Sequence, residues 1–284
     1  MTEQIRSVVT TIIPQAVMEG AGVRLKRSFP SRTLDFLDPF LLFDHFGSDN
    51  PADYMAGFPM HPHRGIETVT YMLAGAVSHK DSLGNAGTIS TGDVQWMSAG
   101  GGILHEEMPQ RGETDRMEGF QLWVNLPARL KMMHPRYRGI TAEMIPNVVG
   151  PDGTVVRVIA GEYNGTRGPA VEIAADPTYL DVSVPAGGAF RQPVQRGHTA
   201  LAYVFEGAGT FGDSATLTPY RFLVFSDGDA VTARAGAEGL RFLLMTGRPT
   251  GDAIVRYGPF VMNTREEILQ ALADLHDGTF VKGE

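Results

Sequence analysis

Four side chains between residues 61 and 107 have the types and spacing to hold a metal ion. His61 and His63 flank Pro62 in HPHRGIETVTYMLAG (61–75), and His105 and Glu107 flank Glu106 in SAGGGILHEEMP (98–109). Side chains along an extended strand alternate faces, so His61 and His63 point the same way, as do His105 and Glu107, while Glu106 points away. Pro62 has no N–H, which confines this end to a sheet edge or a strand entry. Brought together, the two pairs make a three-nitrogen, one-oxygen donor set. Such a set suits a first-row transition metal and leaves room for water or substrate. Glu67 shares the parity of His61 and His63 and would join them on a straight strand; Gly65 leaves that open.

Either motif alone is weak, because an H-x-H is often a surface pair and an H-x-E a solvated strand. Both in one β-rich region point to a metal. The other histidines read as ordinary. His45 in PFLLFDHFG reads as packed or hydrogen-bonded, His79 in SHKDSLGN as part of a polar turn lining an opening, and His134 and His198 as flanking loops. Trp96, Phe120 and Trp123 fall on strand-like runs. Core packing is their default, with one or two available to wall an apolar pocket.

The elements that must position these residues are mostly strands. There are 34 glycines and 18 prolines, about 18% of the chain against a typical ~12%. Between them lie apolar or alternating runs of strand length: 68–73, 93–97, 119–126, 154–160, 179–184, 200–205, 221–225 and 241–245. The pattern predicts an all-β protein. Helical signals are few. Pro127 opens a short one at PARLKMM. In NTREEILQALADLHDG, Thr264 and Glu267 form a capping box, Ile268, Leu272 and Leu275 share a face, and Gly278 ends the run.

The chain also repeats. At an offset of 132, QPVQRGHTALAYVFEGA (192–208) aligns under MHPHRGIETVTYMLAGA (60–76), matching Arg64-Gly65 with Arg196-Gly197, Tyr71 with Tyr203, and Gly75-Ala76 with Gly207-Ala208. Equal spacing in two β-rich halves points to duplication. The second copy has Pro193 and Gln195 where the first has His61 and His63. The expected division is a metal-binding domain at 1–138 and a domain without metal ligands at 139–284 that also carries the C-terminal helix.

Composition excludes several functions. With no cysteine, disulfides, thiolate catalysis and cysteine-bound zinc are ruled out. A net charge of −8 disfavours direct contact with nucleic acid. No apolar run approaches the ~20 residues that span a bilayer, and the N-terminal MTEQIRSVV has no secretory pattern. A soluble cytoplasmic protein is expected.

The H-x-H pair followed by a glycine-led histidine resembles the cupin superfamily. More narrowly, DPFLLFDHF (38–46), HPHRGIETVTY (61–71), GDVQWMSAGGGILHEEMP (92–109), FQLWVNLP (120–127), VIAGE (158–162) and GPFVMNT (258–264) resemble the pirin family across nearly the whole chain. That resemblance implies a bicupin: two stacked antiparallel β-barrels of the jelly-roll type with a short C-terminal helix. It implies one divalent ion in the first barrel, Fe(II) foremost, with Mn, Ni, Co or Zn admissible. The ligands it implies are His61, His63, His105 and Glu107, with Glu67 left out. Gly101 departs from the bulkier or charged residue of some pirins, which bears on the pocket rim. The implied activity is a quercetin 2,3-dioxygenase-type oxidation of a flavonol or similar hydroxylated aromatic by dioxygen, with Glu107 as the catalytic proton acceptor. The alternative it implies is a redox-sensing iron protein that modulates a transcription regulator or metabolic enzyme through a protein partner.

Overall fold

The computed structural model describes residues 3–32, 34–112 and 114–282. The apolar runs become strands, and every named strand pair is antiparallel. All eight runs identified in the sequence lie on strands, with ends shifted by a few residues. The chain forms two compact units, Gln15–Ala142 with Thr250–Glu284, and Met1–Pro14 with Glu143–Pro249. Among the described residues no helix is long and apolar enough to cross a membrane.

The first unit carries the four candidate ligands. Its larger sheet has the order Arg136–Ile140, Val94–Ser98, Ile66–Ala74, Met117–Asn125, Phe40–Ser48, Val23–Phe29, Gln15–Glu19. Its smaller sheet has the order Phe58–His63, Ile103–Gln110, Ala76–Asp81, Ala86–Ser90. Apolar clusters around Leu25, Phe46 and Met72 and around Leu41, Ile66 and Met97 exclude water from the interior of this unit. The second unit is an eight-stranded sheet in which the Thr199–Phe211 and Ala230–Gly247 strands pair along most of their length. Its core runs from Val156 through Phe242.

The expectation of two closed barrels is corrected: none of these sheets closes. The chain leaves the larger sheet of the first unit at Gly75, with φ +82°, and starts the smaller one at Ala76. Among the described residues the outer strands Gln15–Glu19 and Arg136–Ile140 each pair on one side only, as do Phe58–His63 and Ala86–Ser90. In the second unit Val8–Ile12 and Asn147–Val149 are likewise open edges. Local pattern cannot distinguish these alternatives. Short alternating strands between glycine turns fit an open sandwich as well as a barrel, and closure depends on register at distant edges.

The repeat has a structural counterpart. Gly65 and Gly197 both sit at φ +79°, and Gly75 and Gly207 at +82° and +66°. Ile66–Ala74 lies between Val94–Ser98 and Met117–Asn125, as Thr199–Phe211 lies between Arg221–Phe225 and Ala230–Gly247.

The helix Arg265–His276 forms with both halves of the capping box in place. Its buried face is Ile268, Ala271 and Asp274, whereas Leu275, expected on that face, is exposed. Asp274 occupies the inner position because it meets the buried Arg64 at 2.7 Å. The segment after Pro127 is only a 3-10 turn, Ala128–Leu130, with Pro127 as its cap. Lys131 then turns inward, donating to Gly65 O, Asn125 Oδ1 and Val261 O at 2.6–2.8 Å.

Candidate metal centre

The smaller sheet of the first unit positions the histidines. On Phe58–His63, an edge strand as Pro62 requires, His61 stands opposite His105 and His63 opposite Ile103. The register shift beyond this point takes up an extra residue near Pro59 and Met60, so Glu107 pairs with Phe58. On Ile103–Gln110 the alternation holds: His105 and Glu107 are buried, and Leu104 and Glu106 less so.

The three imidazoles converge. One nitrogen from each of His61, His63 and His105 lies within 4.8 Å of the others. Ring centroids are 4.3 Å apart for His61 and His105, 4.9 Å for His61 and His63, and 5.0 Å for His63 and His105. The Nδ1–H of His61 donates to Pro59 O at 2.9 Å, which leaves its Nε2 lone pair facing His63 Nε2 at 3.1 Å. Burial, then the neighbouring His61, pushes His63 down to about 3. Burial, then His63, His61 and His79, holds His105 well below the usual histidine range. His63 and His105 are therefore neutral and offer lone pairs at physiological pH.

The donors fit a metal. His105 is 1% exposed, yet neither ring nitrogen has a hydrogen-bond partner among the described residues. A buried polar group is normally satisfied. A divalent ion among these three nitrogens would supply what the protein does not. The site is thus a histidine-rich cluster capable of binding a divalent metal.

The carboxylates are placed differently. Glu107 lies outside the group of nitrogens but lines the same cavity as His61 and His63. Thr70 Oγ1 is 2.9 Å from Glu107 Oε1 and 2.9 Å from the Gln121 amide oxygen, and its one proton serves one of them at a time. Glu67 lies outside the cluster too. Ser98 Oγ donates to its Oε1 at 2.6 Å, and burial pushes its carboxyl up. Glu67→Gln is accordingly expected to leave metal content unchanged, as measured by elemental analysis.

His79 was not legible as part of this site. Rather than a turn, it lies on Ala76–Asp81, opposite Glu107, fully buried and 5.5 Å from the His105 ring. It stacks on Tyr137 at 4.9 Å. The one available signal was its parity with Asp81, whose carboxylate caps the next turn through Leu83 N and Asn85 N. His45 pairs with Glu118 at 3.2 Å, as a hydrogen-bonded histidine should. Trp123, rather than Trp96 or Phe120, walls the cavity, with its ring nearly perpendicular to that of His63 at 5.0 Å.

Beside the histidines the cavity measures about 550 Å³ and is walled mainly by Leu25, Leu42, Phe46, Phe58 and Trp123. The Pirin family model matches residues 22–124, and the Pirin C-terminal cupin domain matches 179–281. A pirin-like protein of Caulobacter vibrioides is 44% identical over 97% of this chain and 99% of its own length. The chain belongs to the pirin family. A pirin-like protein from Solanum lycopersicum is 43% identical, over 96% of this chain and 92% of its own length. Among solved structures, a quercetin 2,3-dioxygenase from Acinetobacter baumannii matches with a TM-score of 0.90 at 37% identity, covering 98% of this chain and 99% of that one. The pirin match covers both units, and the histidine cluster lies within the segment matched by the first model.

Proposed function

We propose that this pirin is a metal-dependent dioxygenase of the quercetin 2,3-dioxygenase type, acting on a flavonol or similar hydroxylated aromatic with dioxygen. The observation that carries this reading is the cavity of about 550 Å³, apolar-walled and opening on His61 and His63. Its volume falls in the range of small-molecule sites, about 300–1,000 Å³. A redox sensor acting through a protein partner has no need of such a space. Similarity to the Acinetobacter enzyme supports the same reaction class.

His61, His63 and His105 would hold the ion. We take it to be Fe(II); Mn, Ni, Co and Zn suit the same donors, and availability chooses among them. A divalent ion bound there supplies Lewis acidity that lowers the pKa of a coordinated hydroxyl. Glu107 takes the proton released by the substrate hydroxyl, and the Thr70 hydroxyl at 2.9 Å holds its carboxyl group in place. Trp123, Phe46 and Leu42 hold the rings flat and keep water from the reacting edge.

Purified protein loaded separately with Fe(II), Mn, Ni or Co and mixed with quercetin should lose flavonol absorbance under oxygen but not under nitrogen. Absence of metal-dependent loss with every ion would overturn the proposal.

A further inference from the structure

Two guanidinium groups line the cavity, and they differ in how they are neutralised. Arg27 is saturated. Its Nε and Nη2 donate to the two oxygens of Asp44 at 2.8 and 2.7 Å, and its Nη1 to Glu19 at 2.6 Å. Burial alone would lower Arg27; these two carboxylates outweigh it and hold Arg27 above its ordinary value. Arg256 has only long bonds to backbone oxygens, Nε to Gly258 O at 3.4 Å and Nη1 to Leu41 O at 3.3 Å. Among the described residues it makes no ion pair, and its Nη2 has no acceptor. Burial, then the positive charge of Arg27, work against the charge on Arg256 and outweigh the attraction of Asp35, Asp44 and Glu19, none of which bonds to it. An incoming anion would relieve both.

The position of Arg256 relative to the metal centre is fixed by Trp123. The Arg256 Cζ lies over the Trp123 ring at 5.0 Å, and that ring meets His63 at 5.0 Å. Stacking on an aromatic face holds the guanidinium plane while leaving its edge free for a planar anion. An aromatic that reaches the histidines with one hydroxyl therefore runs along the indole and presents its other end to Arg256. The apolar walls accept the rings, and the unpaired fork is the polar group that fixes orientation.

We propose that Arg256 makes the cavity selective for hydroxylated aromatics bearing an anionic group, a carboxylate or sulfonate, on the end remote from the metal-facing hydroxyl. This rests on the dioxygenase reading and narrows its substrate class. A bidentate contact between guanidinium and carboxylate is charge-assisted and geometrically specific, and a lysine cannot reproduce it.

The test is anaerobic binding to metal-loaded protein, followed by the fluorescence of three probes: 2-naphthol, 6-hydroxy-2-naphthoate and 2-naphthol-6-sulfonate. Wild-type protein is expected to bind the two anions about tenfold more tightly than 2-naphthol, the scale of one charge-assisted contact. Arg256→Gln should bring the three to parity, and Arg256→Lys should keep part of the preference. Metal content and melting temperature of each variant establish that the cavity is intact; if the glutamine variant fails to fold, the lysine variant decides. Equal affinities in the wild type, an anion preference that survives in Arg256→Gln, or one undiminished in Arg256→Lys, overturns the proposal. Binding needs no turnover, so the two readings separate. Anion preference without flavonol oxidation under oxygen sinks the dioxygenase and keeps the anion site. Oxidation without preference does the reverse.

Discussion

His105→Ala is expected to reduce metal content from about one ion per chain to below a tenth, and to abolish metal-dependent flavonol loss. His105 is the most buried of the three histidines, and its ring lies within 5.0 Å of both the others. Disturbing a residue that merely orients a metal ligand already costs about 10–100-fold in affinity; removing the nitrogen itself costs more. The fold should survive in the metal-free state, because the variant deletes a ring whose nitrogens have no hydrogen-bond partner among the described residues. A ligand present at about 1,000 times its dissociation constant stabilises by about 4 kcal/mol. Added Fe(II) should therefore raise the melting temperature of wild-type protein and leave that of the variant unchanged. Elemental analysis together with a thermal scan checks both. Unchanged metal content would remove this cluster as the centre.

The histidine cluster was legible because strand parity is a local property. H-x-H and H-x-E each place two side chains on one face whatever the rest of the chain does, and the proline confined one pair to an edge. Closure of the sheets was not legible, since it depends on which distant edges meet, and Gly75 turns the chain out of one ladder into another. Glu107 shows the same boundary. Parity placed it on the face of His105, but its contact with Thr70 depends on a strand 37 residues away in sequence. His79 was missed because SHKDSLGN reads as a turn from its polarity, whereas its first four residues lie on a strand whose inward face carries His79 and Asp81 beside Val77. Arg256, 193 residues beyond His63, carries no motif; only the folded hairpin Val255–Tyr257 with Phe260–Met262 brings it to the cavity. Leu275 was misplaced for a related reason. Periodicity gave the apolar face, but a buried arginine from the strand region drew Asp274 inward instead.

That arginine ties the metal centre to the far end of the chain, and Asp274→Ala is expected to cost about 3–5 kcal/mol of stability, the range for removing one partner of a buried ion pair. Arg64 follows His63 directly and is 1% exposed. Its Nη1 donates to Asp274 Oδ2 at 2.7 Å and its Nη2 to Phe280 O at 2.9 Å, with the Phe280 ring 4.4 Å from Cζ. Burial pushes the Asp274 carboxyl up, but hydrogen bonds from Lys282, Arg64 and Gln270 outweigh it and hold the group well below the usual carboxylate range. An acid whose folded pKa is depressed adds stability above its unfolded value, near pH 4, and loses it as pH falls through the folded value. The wild type should therefore lose stability as pH drops below about 4, and Asp274→Asn should lose less over that range. Urea denaturation at pH 7 and in the acid range measures both effects. The double variant Arg64→Met with Asp274→Leu should recover most of the loss, because it leaves no buried unpaired charge behind, the remaining Lys282 being exposed. Its metal affinity then separates two roles. Restored stability with weakened binding means the pair positions His63. Restoration of both means that the buried charge alone was at stake and that the backbone bonds from Arg64 N–H to Pro259 O and from Val261 N–H to Arg64 O suffice to place the strand.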